Sequence, residues 1–229
     1  MEGQAGHVGR VVPFQRSTAA SSIADALRDE LLSGALPPGT LLHDADLVSR
    51  TGAGRATVRA ALAELVRDGL LIHSLHGSVE VARISPQDVG DIYAARRVYE
   101  GAGLEALLRR RPVDVSWLRA AAERMGEAAV AVDGRAAVEA DMAFHLALVA
   151  SAGSHHLTSA SQGALMELRL VLSLADRLSD DLPALVAAHE HLVEVFQEGR
   201  LRRARAVLEE HLVHGEAVAR AAAAASMAA

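Results

Sequence analysis

The chain has 229 residues, 51% of them hydrophobic and only 3% aromatic, with a formal net charge of −6 and no cysteine. That length allows one large domain or two small ones with a substantial core, and a composition dominated by Ala, Leu, Val, Glu and Arg favours packed helices over sheet. The absence of cysteine excludes disulfides and thiolate metal sites, and the acidic balance excludes a protein coated in positive charge for indiscriminate polyanion binding.

All 23 basic residues are arginine, which places fork-shaped donors at every basic position. No basic stretch followed by an apolar run opens the chain, and no segment approaches ~20 uninterrupted apolar residues. A soluble, cytoplasmic protein without membrane contact is expected.

Residues 1–20 show no period and read as a flexible tail. Structure is expected from Ser21 or Ser22, a plausible N-cap ahead of Ile23, Ala26, Leu27 and Leu31 at helical spacing. Gly34, Pro37, Pro38 and Gly39 stop that helix. A short helix over 44–50, a glycine-bearing turn over 51–54 and a third helix over about 55–68 follow. Two extended pieces, "LLIH" and "SVEV", are joined across "SLHG". Three helices and a hairpin in this order describe a winged helix-turn-helix over residues 21–84. On the third helix Val58, Leu62, Leu65 and Val66 form the inward stripe, and Arg55 and Arg59 stand one turn apart at its N-terminal end. An isolated arginine pair is ordinary solvated surface; the surrounding turn, helix and wing favour a reading head for DNA, since that end of the helix enters the major groove in this class of motif.

Ser85 as N-cap, Pro86 at the first helical position and Asp88 in the first turn open a second domain, expected over residues 86–221. Breaks at Pro112, Gly134, Gly153, Pro183 and Gly199 divide it into six helices, roughly 86–110, 114–131, 134–152, 154–178, 181–198 and 200–221, an antiparallel bundle. The chain as a whole is therefore expected to be mostly α. Its informative residues are polar ones on inward faces. Asp141 and His145 lie four apart at the edge of a stripe formed by Val138, Met142, Leu146 and Val149. His189 sits amid Leu185, Val186, Leu192, Val193 and Phe196, while His191 faces the other way; His211 has Val207, Leu208 and Val218 at similar offsets. Separate core histidines bonded to carbonyls are the plain reading of each alone. One inward cluster of Asp141, His145, His189 and His211 is better explained by a shared divalent cation with positions left open for water or a ligand.

The stretch "LRDELLSGALPPGTLLHDADLVSRTGAGRATVRAALAELVRDGLLIHSLHGSVEVA" resembles the DNA-binding domain of the GntR family of bacterial transcription regulators. The pairs Ser33-Gly34 and Pro38-Gly39, the arginines Arg55 and Arg59, and Gly69-Leu70 carry the resemblance. It implies DNA contacts from Arg55, Thr57 and Arg59 and from the wing at His76 and Gly77. Two departures, Ala45 where relatives often have a basic residue and Gly54 where they often have Ser or Thr, shift base reading towards those positions.

"DMAFH", "AAHEHLVEVFQEGR" and "EEHL" resemble the FCD effector domain of the FadR branch, and six helices place it near the VanR subgroup. The resemblance implies the same four ligands, with Arg96, Arg97 and Glu100 in an arginine-bearing first helix. Arg200 departs from the acidic helix cap of relatives.

The expectation is then a homodimeric regulator, a repressor by preference, that binds a near-palindromic operator. Its bundle holds one divalent metal per chain, zinc first and nickel or manganese next, and a small organic acid that meets the metal and Arg96 or Arg97. Two rivals are a metal-dependent hydrolase with an accessory winged helix, using Glu100 or Glu167 as acid or base, and a regulator whose metal is purely structural.

Overall fold

The computed structural model describes residues 19–74, 78–173 and 182–228. The first helix, α1, spans Ala19–Leu32, and its start overlaps the expected tail by two residues. Ala19 and Ala20 are strong helix formers that extend the helix upstream of Ser21 without adding to an apolar period. Strand β1 (Leu41–Leu42) precedes helices α2 (Asp44–Thr51) and α3 (Arg55–Arg67), and β2 (Leu71–His73) and β3 (Val79–Val81) follow. The sheet is antiparallel in the order β1-β3-β2, with Leu42 and His73 both opposite Val79. The two-residue β1 was not anticipated, since a pair of leucines has no alternation to detect.

The turn between α2 and α3 is set by Gly52, which caps α2 with φ 68°, while its N–H donates to the Val48 carbonyl. That left-handed backbone suits glycine. Gly54 then enters α3 in extended conformation. Leu27, Leu31, Leu47, Val58, Leu62, Leu65, Leu70 and Val81 form the core beneath, joined by Leu170 from the second domain.

The bundle comprises α4 (Pro86–Arg109), α5 (Ser116–Val130), α6 (Gly134–Ala150), α7 (His155–Ser173), α8 (Leu182–Gln197) and α9 (Leu201–Ala228), six helices among the described residues. Ser85 accepts from the Asp88 backbone N–H while the Asp88 carboxylate accepts from the Ser85 N–H, a capping box that fixes where α4 begins. Helix α9 runs seven residues past its expected end, because nothing after Gly215 breaks it and the alanine run has high intrinsic propensity. Helix α4 packs on α9, α6 and α7, and α5 on α6 and α8. Helices α4 and α6 cross tightly at Gly103, where a Cβ would stand 2.1 Å from the Leu148 carbonyl oxygen.

Candidate functional site

At the head of α3, Arg55 and Arg59 are exposed and Thr57 is partly buried. The Arg59 Nε donates to Asp44 Oδ2 at the start of α2 over 2.5 Å. This pair ties the two helices of the motif on their outer side, and Arg59 remains 72% exposed. His76 and Gly77 lie outside the described residues. The apolar stripe of α3 points the other way, with Val58, Ala61, Leu62 and Leu65 buried and Val66 only partly so.

In the bundle, four side chains from three helices converge: Asp141 and His145 from α6, His189 from α8 and His211 from α9, with ligand atoms all within 4.8 Å of one another. The structure therefore brings together all four of the residues expected to hold a metal. Asp141, His145 and His189 are buried and His211 is half-buried. Of the expected α6 stripe, Val138, Met142 and Val149 are buried and Leu146 only partly so; Ala137, Ala140, Asp141, Phe144, His145 and Leu148 are buried as well, so the inward face is wider than the stripe and takes in both polar residues. Phe144 packs edge-on against the rings of His145 and His189, holding both. His191 is exposed.

Hydrogen bonds orient the imidazoles. His145 Nδ1 lies 2.7 Å from Glu100 Oε2, and His189 Nδ1 lies 2.8 Å from the Leu185 carbonyl. Both acceptors take a proton from Nδ1, so in the neutral rings each Nε2 is left with its lone pair, the arrangement outer-shell partners impose on metal-binding histidines. Those Nε2 atoms stand 3.4 Å apart, and His211 Nε2 is 3.2 Å from that of His145. Asp141 Oδ1 is 2.9 Å from His189 Nε2 and 3.6 Å from His145 Nε2. With the rings neutral, these lone pairs and the carboxylate facing inward repel one another unless a cation, a metal ion or a proton, lies between them. Donors about 2.0–2.1 Å from a shared ion stand roughly 2.9 Å apart at right angles and roughly 3.4 Å apart at tetrahedral ones, the range of most of these separations.

Burial alone would raise Asp141, but the imidazoles of His145 and His189 hold it well below the usual carboxylate range. Burial likewise opposes ionisation of Glu100, yet Arg96 and then His145 bring it down to about 2. His211 is pushed down to about 2 by desolvation and then by its two neighbouring imidazoles, so it is neutral.

Sequence reasoning saw Glu100 as a possible acid or base; the structure gives it a different place. It accepts from Arg96 Nε at 2.8 Å through one oxygen while the other meets His145. Arg96 and Glu100 are 2% and 1% exposed, and the Arg96 guanidinium lies 4.6 Å from the centroid of the Tyr93 ring. Arg96 Nη2 is buried and has no hydrogen-bond partner among the described residues. Residues 93, 96 and 100 at i, i+3 and i+7 form one stripe on α4, a spacing visible in the sequence.

A cavity of about 180 Å³ opens beside this cluster, lined by Arg96, Asp141, His145 and His211 and by apolar groups of α7, α8 and α9. Arg97 does not line it. Its guanidinium donates to Glu209 and Glu216 on α9 over 2.8 and 2.9 Å, and it borders a separate groove between α4 and α9. Adjacent helical residues point about 100° apart, so Arg96 and Arg97 cannot both face one cavity.

Two helices run from the cavity to the DNA-binding domain. On α7, Leu172 lines the cavity and Leu170 enters the N-terminal core. On α9, His211 belongs to the cluster, Arg220 donates to the Pro86 carbonyl at the domain junction, and Ser226 and Met227 lie beside Pro38, Arg83 and Ile84.

A helix-turn-helix with a small sheet, followed by a helical bundle whose largely apolar cavity has polar groups at one end, defines a two-domain DNA-binding protein. Residues 19–81 match the bacterial regulatory proteins of the gntR family, and residues 91–214 match the FCD domain. The chain belongs to the GntR family of transcription regulators and carries an FCD effector domain. It is 27% identical over 199 residues to the transcriptional repressor assigned to the D-xylose utilization operon of Paenarthrobacter nicotinovorans, covering 86% of this chain and 87% of the relative. A GntR transcriptional regulator from Rhodococcus sp. RHA1 superposes with a TM-score of 0.78 at 26% identity, over 87% of this chain and 96% of that one. McbR/YncC of E. coli shares the fold, with a TM-score of 0.71 at 19% identity over 88% and 97% of the two chains. The protein is a DNA-binding transcription regulator; these relatives do not support the hydrolase reading, and Glu100, one of its two candidate acids, is occupied by Arg96 and His145. Among the described residues, no helix is long and apolar enough to cross a membrane.

Proposed function

We propose that the protein is a homodimeric repressor that reads a near-palindromic operator and is switched by a small carboxylate bound between a divalent metal ion and Arg96. The observation that carries this reading is the buried Arg96 Nη2, a cationic donor without a partner beside four converging metal-ligand side chains. A buried unpaired guanidinium nitrogen is costly, and a carboxylate supplies two oxygens, one for the ion and one for that nitrogen. Arg97, already neutralised by two glutamates, takes no part. Zinc is the first choice for an oxygen-plus-imidazole set, with nickel and manganese next. When bound, the ion supplies a Lewis-acid coordination point for the ligand. Leu170 and Leu172 on α7 and Arg220 on α9 supply the physical route from cavity to DNA-binding domain.

Arg55, Thr57 and Arg59 on α3, with His76 and Gly77 in the wing, are the proposed DNA contacts. Two copies are needed because a single winged helix reads only a few base pairs. Arg59 exchanges Asp44 for a base edge on binding. Replacing it, Arg59→Ala, is expected to weaken specific operator binding by about 1–3 kcal/mol while leaving the fold intact. Equal affinity of variant and parent in a fluorescence-anisotropy titration removes this assignment.

The switch is tested by titrating operator DNA with the zinc-loaded protein, with and without acetate, propionate or D-xylose, the sugar in the Paenarthrobacter relative's name. Carboxylates are expected to shift DNA affinity by about fivefold to hundredfold and, by linkage, to bind more weakly to the DNA complex by the same factor. A carboxylate that binds at the metal yet leaves DNA affinity unchanged makes the ion structural; a shift with D-xylose alone makes the ligand a sugar.

A further inference from the structure

We infer that the cavity selects a short aliphatic monocarboxylate, one negative charge on an apolar tail of a few carbons, and rejects dicarboxylates of similar length. This rests on the reading above that a carboxylate lies between the ion and Arg96.

The first argument is charge. Coordinating imidazoles are neutral, so the charged groups around the cluster are the ion, Arg96, Asp141 and Glu100. A divalent ion and one guanidinium against two carboxylates leave a single positive charge. Arg96, Glu100, His145 and His189 are all at most 2% exposed, so an uncompensated charge here is poorly solvated. A monoanion neutralises the site; a dianion overshoots it. The nearby outer charges offer nothing to a second carboxylate, because Arg97 and Arg220 are matched by Glu209 and Glu216.

The second argument is the lining. Beyond the cluster and the Tyr93 ring under Arg96, the cavity is walled by Leu172, Ala184, Leu185, Ala188, Leu212 and Val218, with exposed His214 the remaining titratable group among the described lining residues. A second carboxylate set against Leu172, Leu185 and Leu212, the buried and half-buried part of this wall, loses its hydration without a matching donor, whereas a methyl or ethyl group gains from burial there. The third argument is size, since about 180 Å³ lies below the roughly 300–1,000 Å³ of cavities that take drug-sized ligands.

The test is isothermal titration of the full chain loaded with zinc, using acetate, propionate and butyrate against malonate and succinate. Affinity should rise about fourfold for each methylene from acetate to butyrate, the transfer value of a buried CH₂. Succinate should bind at least about tenfold more weakly than butyrate, the penalty of a buried unpaired charge. Ala188→Arg places a second cation on an exposed position of the lining and should turn the preference towards succinate at unchanged zinc content. Succinate binding as tightly as butyrate overturns the charge argument while a carboxylate site stands. Equal affinity from acetate to butyrate overturns the apolar tail. Zinc-loaded protein that binds none of the five acids removes both this inference and the carboxylate reading beneath it.

Discussion

The two domains place their charge on opposite sides of their cores. In the N-terminal domain the core is built of Ala, Leu and Val; the ion pairs Arg50–Glu30 and Arg59–Asp44 lie at its surface, and Arg28–Asp68 is partly buried at its edge. In the bundle the buried polar residues include Arg96, Glu100, Asp141, His145 and His189. A domain that recognises a long polyanion presents its donors outward, where they cost little to keep solvated. A domain that recognises a small anion must surround it, and the donors are buried with it. The chemistry of the second site is correspondingly coupled to its folding, whereas that of the first is separable from it.

The sharpest way to break this contrast is to remove one charge from each kind of pair. Glu100→Ala strands Arg96 and His145 in the interior and is expected to cost about 3–5 kcal/mol. Glu30→Ala, which releases an exposed Arg50, should cost no more than about 1 kcal/mol. Chemical denaturation of both variants measures the difference; comparable losses would mean that burial does not set the worth of these pairs.

Metal loading tests the same contrast by helical phase. His189→Ala is expected to lose the divalent ion and to melt at lower temperature, while His191→Ala, two residues on and exposed, keeps both. With a bound ion in large excess over its dissociation constant, stabilisation of about 3–4 kcal/mol is at stake. Elemental analysis and a thermal scan with and without chelator read both outcomes, and equal metal content in the two variants refutes the ligand assignment.

A smaller effect is expected where backbone geometry supports the buried network. Gly103 lies three residues after Glu100, and Leu148 three after His145, so the tight α4–α6 crossing sets the distance between that carboxylate and that imidazole. Gly103→Ala must push the helices apart, since its Cβ would meet the Leu148 carbonyl oxygen at 2.1 Å. Overpacking of this kind costs about 1–3 kcal/mol. Zinc affinity should fall with it, because His145 loses its orienting partner. A variant as stable as the parent with unchanged zinc affinity would show that the crossing does not position the site.

Much of this arrangement was legible in the sequence, and unevenly so for physical reasons. Helix breaks at glycine and proline gave the order of elements, and the proposed reading head at Arg55 and Arg59 was picked out by the turn, helix and wing around it. Asp141, His145, His189 and His211 were legible because inward polar residues interrupt apolar periods on three helices. The ends of α1 and α9 were not, because alanine forms helix without marking a face. The role of Glu100 was missed although its i+4 spacing from Arg96 was in view; an inward ion pair on one helix is a signal that an anion or a ligand histidine lies opposite. Arg97 was grouped with Arg96 by adjacency in the chain, where helical phase separates them.

The mildest prediction concerns the seam between the domains. Glu167 on α7 packs against Gly69, whose φ of 77° and lack of a Cβ let the carboxylate lie within about van der Waals reach of the backbone at the end of α3. Burial, and then the charge of Asp88, raise the Glu167 carboxyl above its ordinary value. A carboxyl raised in the folded state binds its proton more tightly there than in the unfolded chain. Its favourable contribution is therefore complete below the unfolded value of about 4.5 and is lost as pH rises through the higher folded value. At neutral pH the ionised group is a small liability at the seam. Glu167→Gln keeps the shape and removes the charge, so the variant should melt about 1–3 °C higher than the parent near neutrality, a change below about 1 kcal/mol in a chain of this length. Below the unfolded value the two should converge, since the parent is then protonated as well. An advantage for the variant that persists unchanged into acid would assign the effect to packing and not to ionisation; an advantage confined to neutral pH places an unfavourable charge where the sensing bundle meets the domain that reads DNA.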